Sequence, residues 1–160
     1  MYSWIKFLHV LGLFGFLIAH GVSASIFFAL KRERNMERIC TLLQLSGNSA
    51  RIMIISLLTL LISGIINGFL GHWWRFGWIW LSLGLFIGIY AGMSILGTRI
   101  LNEVRIGVGL PSAYGQPPRP ERFSAEELNA RLDRIHPYRL SMIGFGGLAL
   151  IAWLMMFKPF

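Results

Sequence analysis

The sequence predicts an all-α fold: an integral membrane four-helix bundle with a short cytoplasmic amphipathic helix before the last span. Three observations carry that expectation. Hydrophobic residues make up 55% of the 160-residue chain and charged residues only 14%, more apolar surface than a soluble domain of this size can bury. Four apolar stretches, at 4–30, 52–70, 78–98 and 139–157, match the roughly 20 residues that a helix needs to cross a bilayer. The net charge of +8 sits almost wholly between those stretches, where basic residues set topology rather than bind nucleic acid. Residues 1–160 thus form one four-span domain.

The first stretch is too long for a cleaved leader. Its apolar residues also continue past the small Ser23-Ala24-Ser25 cluster, so it is expected to persist as a helix. Lys31, Arg32, Arg34, Arg38 and Arg51 fall in the first connection. Arg99, Arg105, Arg119, Arg122, Arg131, Arg134 and Arg139 fall in or beside the third, while Lys6, Arg75 and Lys158 remain for the opposite side. The positive-inside rule then puts connections one and three in the cytoplasm and both termini outside, as expected for a multi-pass protein of a bacterial inner membrane. All six tryptophans (Trp4, Trp73, Trp74, Trp78, Trp80 and Trp153) lie near the outer ends, as in an interfacial aromatic belt. Gly64 and Gly68 on the second helix, and Gly84, Gly88 and Gly92 on the third, have the four-residue interval of close helix contacts. Gly144, Gly146 and Gly147 loosen the fourth. The short link 71–77 makes its flanking helices antiparallel neighbours.

Residues 111–120, rich in Pro and Gly, are expected to be irregular. Ser124 and Glu127 have capping-box spacing. Leu128, Leu132 and Ile135 form an apolar stripe and Glu127–Arg131 a favourable pair, so 124–135 reads as an amphipathic helix at the cytoplasmic surface. It either packs on its own bundle or docks a partner. Pro137, after His136, suits the first turn of the last helix. The segment Leu11-Gly12-Leu13-Phe14 recurs as Leu83-Gly84-Leu85-Phe86, an echo that so restricted an alphabet produces readily.

The sequence contains no phosphate-binding glycine loop and no nucleophile elbow. Its seven Asp and Glu residues all lie in the cytoplasmic segments, which argues against a carboxylate proton relay through the membrane. Cys40, the one cysteine, forms neither an internal disulfide nor a thiolate cluster. Histidine remains. His9 and His20 lie inside the first helix, where an ionisable group tends to face the bundle and find a partner. At about 100° per residue they share one face, roughly 16 Å apart along the axis. Gly12 and Ser23 lie on that face and Phe16 between them, leaving room for a flat macrocycle. Inward imidazoles of this kind hold haem b, with a second ligand from another helix. His72 stands within about one turn of the depth of His9 and is the favoured partner on a shared iron, with Asn67 placed to orient an imidazole. His20 has Met93 at its depth and His136 further in. Met142, Met155 and Met156 are too scattered for a copper(I) site.

The opening Trp4-Ile5-Lys6-Phe7-Leu8-His9-Val10-Leu11-Gly12 resembles the first helix of a superfamily of small bacterial four-helix membrane proteins. It includes the copper-resistance protein D family, its uncharacterised relatives and the membrane-bound haem b protoporphyrinogen oxidase. The ending Phe157-Lys158-Pro159-Phe160 is similar to the Lys-Pro-Phe ending common there. The histidine of a Trp-x-Lys-x-Leu-His opening is implicated in haem binding in the oxidase family, and the resemblance implies that role for His9. That family's His and Lys at the start of helix 3 are absent from Trp78-Ile79-Trp80-Leu81-Ser82. Its Asn-Glu-x-Pro element is replaced by His136-Pro137-Tyr138-Arg139, so protoporphyrinogen oxidation is not implied. The leading expectation is a small cytochrome-b-like protein that binds haem b through His9 and His72 and exchanges electrons with a quinone or the subunits of a membrane oxidoreductase. The alternatives are a cofactor-free accessory or scaffold subunit of a larger complex, and copper or small-solute transport.

Overall fold

Local preferences already fix most of the helical ends. The computed structural model describes residues 2–113 and 115–160, and the described residues form five helices without strands. Helix α1 is Tyr2–Arg32, α2 is Met36–Leu70, α3 is Gly77–Gly107, α4 is Ala125–Asp133 and α5 is Pro137–Phe157. Four of these, α1, α2, α3 and α5, are long and apolar enough to cross a membrane. Asn35 starts α2 by accepting from the N–H groups of Glu37 and Arg38 at 3.0 and 3.1 Å. Ser124 and Glu127 form the expected capping box on α4, and Pro137 occupies the first turn of α5.

Two boundaries differ from the sequence expectation. Helix α2 begins at Met36, so most of the first basic connection is helical and only residues 33–35 turn the chain. Helix α3 continues through Arg99 to Gly107. Apolar content marks where a helix leaves hydrocarbon, whereas the backbone hydrogen-bond ladder continues into the polar region. Tyr114, inside the irregular 111–120 segment, lies outside the described residues.

Packing is uneven along the bundle. Helices α1 and α2 form a tight antiparallel hairpin with a seam of small residues. A Cβ on Gly12 would meet Leu60 at 3.2 Å, and one on Gly15 would meet the Ser56 hydroxyl at 2.6 Å. Ser49 donates to the Ala19 carbonyl at 2.8 Å, so Ser23 is the donor in its 3.1 Å bond to Ser49. Buried Ser46, Ser49, Ser56 and Ser63 continue this seam along α2. The expected glycine contact face on α3 is not used, because a Cβ on Gly84, Gly88 or Gly92 would meet nothing within 4 Å. In α5, Gly147 does serve as a close-contact residue, against Ile89 of α3. Trp4, Phe7, Leu11, Phe14 and Ile18 project outward from α1, the surface that a bilayer covers.

The dense core lies at the end rich in Lys and Arg, hereafter the basic end. Ile26, Phe27 and Leu30 of α1, Ile39 and Leu43 of α2, Val104 of α3 and Leu140 of α5 surround Leu128, Leu132 and Ile135. The apolar stripe before the last span is therefore spent on its own bundle. Lys31 secures the exit of α4, donating to the carbonyls of Ile135 and Asp133 at 2.7 and 3.3 Å. The Glu127 carboxylate accepts from the Ser124 N–H, while the Arg131 guanidinium lies 4.0 Å above the Phe123 ring and donates to the Glu127 backbone carbonyl at 3.3 Å, so Glu127 and Arg131 meet through the backbone rather than the carboxylate. Between the α1–α2 hairpin and the α3–α5 pair a cavity runs along the bundle, from Lys6 and Trp74 at the tryptophan end to Arg51, Asn102 and Arg105 at the basic end.

Candidate functional site

The cavity encloses about 1250 Å³ and is lined by all four long helices. Single-ligand pockets occupy roughly 300–1,000 Å³, so this volume accommodates a macrocycle. Its walls are mostly apolar. Four polar or charged groups of special interest reach it toward the tryptophan end: His9, Asn67, Lys6 and Lys158.

The geometry of His9 defines its tautomer. Its Nδ1 lies 3.1 Å from the Leu60 carbonyl and 3.0 Å from the Ser63 hydroxyl oxygen. A carbonyl only accepts, so Nδ1 carries the proton. The Ser63 hydroxyl donates in turn to the Thr59 carbonyl, which leaves its oxygen free to accept from Nδ1. In a neutral imidazole Nε2 then keeps its lone pair, and no described residue hydrogen-bonds to it. Gly64 makes this arrangement possible, because a Cβ there would lie 3.2 Å from Cε1 of His9. An imidazole anchored through Nδ1–H to a backbone carbonyl, with Nε2 unprotonated, is prepared to ligate a metal.

His20 also faces the cavity but is differently engaged. It is 4% exposed, stacked on Phe16 with ring centroids 5.4 Å apart and edge-on to Phe145 at 4.6 Å. Its Nε2 is buried with no hydrogen-bond partner among the described residues. That nitrogen abuts α5 at Gly144, where an added Cβ would lie 2.1 Å from it. In this arrangement Nε2 faces the α5 backbone, and the ring packs between α1 and α5. Gly144 sits within the Met142–Gly146 π-helical turn of α5, and a second such turn, Ser94–Thr98, interrupts α3.

The remaining expected site residues fall in different places. His72 is exposed in the α2–α3 turn, in the left-handed region at φ 53°, and does not line the cavity, so the structure does not gather it with His9 there. Gly12 is likewise absent from the cavity wall and serves the α1–α2 seam. Asn67 is 4% exposed and lines the cavity, yet its Oδ1 has no partner among the described residues and it makes no hydrogen bond to His9. His136 is exposed ahead of α5 and its side chain makes no capping bond. Met93 lines the cavity, as do Met155 and Met156. Among the described residues, no group of three or more His, Cys, Asp or Glu side chains is gathered to hold a metal ion.

Ser63, Gly64 and Gly144 are the site residues that sequence reasoning missed. Gly64 had been counted only as a small residue for helix contact, and Ser63 beside it carries no motif. The available signal was depth, since both stand on the second helix at about the level of His9 on the first. No protein-family model, curated protein or solved structure matches this chain.

Proposed function

We propose that this chain is a small haem b-binding, cytochrome-b-like membrane protein involved in electron transfer, with Nε2 of His9 as the axial ligand. The observation that carries the reading is the Nδ1–H bond from His9 to the Leu60 carbonyl, which leaves a ligating lone pair at the wall of a cavity large enough for a porphyrin. Ser63 and Gly64 hold the ring in place, and the apolar walls exclude water. A bound haem would supply one-electron chemistry at its iron. The positive-inside asymmetry supports a bacterial inner membrane location with both termini outside. A quinone or an oxidoreductase subunit fits as the exchange partner for a cofactor within the bilayer.

An optical spectrum of the membrane-extracted protein, oxidised and then dithionite-reduced, tests the proposal. The expected result is a Soret band that shifts on reduction and disappears in His9→Ala. A sample with no Soret band after haem supplementation overturns it. A second reading, an accessory subunit of a larger complex, is favoured by the unpartnered glycine face at Gly84 and Gly88 on α3. Migration as the isolated chain or its simple oligomer on a blue-native gel would dismiss that alternative.

A further inference from the structure

The tryptophan end of the cavity carries Lys6 and Lys158 and, among the described residues, no Asp or Glu side chain. All seven Asp and Glu residues lie at 33–37 or 103–133, which belong to the opposite end of the bundle. Lys6 and Lys158 both line the cavity, and neither has an ion-pair partner among the described residues. Lysines near helix ends usually extend their ammonium groups away to water. Lys6 and Lys158 are both exposed, and both ammonium groups also rest on one aromatic cluster. The Lys6 ammonium lies 4.0 Å from the centroid of Tyr2, and that of Lys158 lies 4.6 Å from Trp73. The Tyr2 and Trp73 rings themselves meet edge-on at 6.4 Å.

The backbone at Lys158 adds a second, independent observation. Lys158 ends α5 in the left-handed region at φ 47°, a position that favours glycine. The bond from its N–H to the Leu154 carbonyl, and that from the Trp78 N–H to the Phe160 carbonyl at 3.2 Å, hold the tail over the start of α3. A non-glycine residue in this conformation is costly, and such strain concentrates where a side chain must be aimed.

We propose that this end of the cavity is an anion subsite, in which Lys6 and Lys158 bind the anionic oxygens of the cavity's ligand. Resting on the haem reading, the anions would be the two propionates, held by Lys6 and Lys158, while His9 would hold the iron. The phosphate of an anionic phospholipid has the same chemistry and is the other source that the test must separate.

The full-length chain, in nanodiscs of phosphatidylcholine, is titrated with iron protoporphyrin IX and with its dimethyl ester, which lacks the charges. The wild type should bind the free acid about tenfold more tightly than the ester, as expected when charge-assisted hydrogen bonds are made to one and not the other. K6Q/K158Q should abolish that preference with ester affinity unchanged, and K6R/K158R should restore it. Equal affinities in the wild type, or parallel weakening of both ligands by the glutamine variant, overturn the subsite. If neither porphyrin binds the wild type, the haem reading fails and native mass spectrometry in phosphatidylglycerol decides. Retention of that lipid by the wild type and its loss from K6Q/K158Q keeps the subsite with phosphate as its ligand, whereas equal retention overturns it.

Discussion

Gly144→Ala tests the contact between His20 and α5 most directly. The new methyl carbon would lie 2.1 Å from Nε2 and 2.4 Å from Cε1 of His20. Non-bonded heavy atoms settle at about 3.5–4.0 Å, so ring and backbone must separate by more than about 1 Å. The ring has little freedom to yield, with Phe16 stacked on it and Phe145 against its edge. Overpacking of this kind costs about 1–3 kcal/mol. Replacing a helical glycine by alanine returns up to about 1 kcal/mol, so a net destabilisation of about 1–2 kcal/mol is expected. Reversible unfolding in mixed micelles, followed by circular dichroism, measures it. Gly84→Ala is the internal control, since its methyl meets nothing within 4 Å and only the helical gain remains. In a His20→Ala background the overpacking cost should vanish and the helical gain remain, giving a coupling energy of about 1–3 kcal/mol. Equal stability of Gly144→Ala and Gly84→Ala, or an unchanged cost without the imidazole, would refute the reasoning.

Other parts of the bundle yield further expectations. Leu132→Ala empties a fully buried position where α4 meets the core, and should cost about 2–5 kcal/mol in the same unfolding assay. Ser49→Ala removes the bond to the Ala19 carbonyl and the acceptor for Ser23; about 0.6 kcal/mol, and no more than about 1.7, should be lost. Glu33 turns the chain between α1 and α2, and the N–H groups of Asn35 and Arg34 hold its carboxyl below the usual range. Because the folded pKa is the depressed one, this support is complete above the unfolded value and is lost as pH falls through the folded value. Hydrogen exchange at Arg34 and Asn35 should therefore accelerate on acidification in the wild type, and lose that pH-dependent step in Glu33→Gln once intrinsic exchange is corrected for. Ser63→Ala should leave the 3.1 Å bond from His9 to Leu60 in place and reduce haem affinity only a few-fold, whereas His9→Ala should abolish binding; both are read from the Soret titration.

The helix inventory was legible because hydropathy and length report burial in lipid directly, and α1, α2, α3 and α5 each satisfy both. The capping box at Ser124 was legible for a similar reason, since it depends on two residues at fixed spacing. Pairing between helices was harder. The α1–α2 seam is built from Ser46, Ser49, Ser56 and Ser63, which look like scattered polar residues until their shared face is known. The conspicuous glycines of α3 drew attention to a face that meets no neighbour. Depth along a helix follows from the rise per residue, which is why His9 and His72 looked compatible. The direction in which a turn residue points does not follow from that rise, and the left-handed backbone at His72 carries it away from the cavity wall. His9 was singled out from its position, but its tautomer depends on the Leu60 carbonyl of another helix, which no local pattern encodes.

The uneven packing has a mechanical consequence. The bundle resembles tongs riveted at one end: side chains from α1, α2, α3, α4 and α5 interlock around Leu132, while alongside and beyond them empty volume holds the α1–α2 and α3–α5 jaws apart. Stiffness therefore falls from the rivet toward the tips. Thermal breathing should be wider at the half-buried Trp73 and Trp74 than around Leu132, making that edge the natural doorway for a bulky guest and the rivet the last part to come undone.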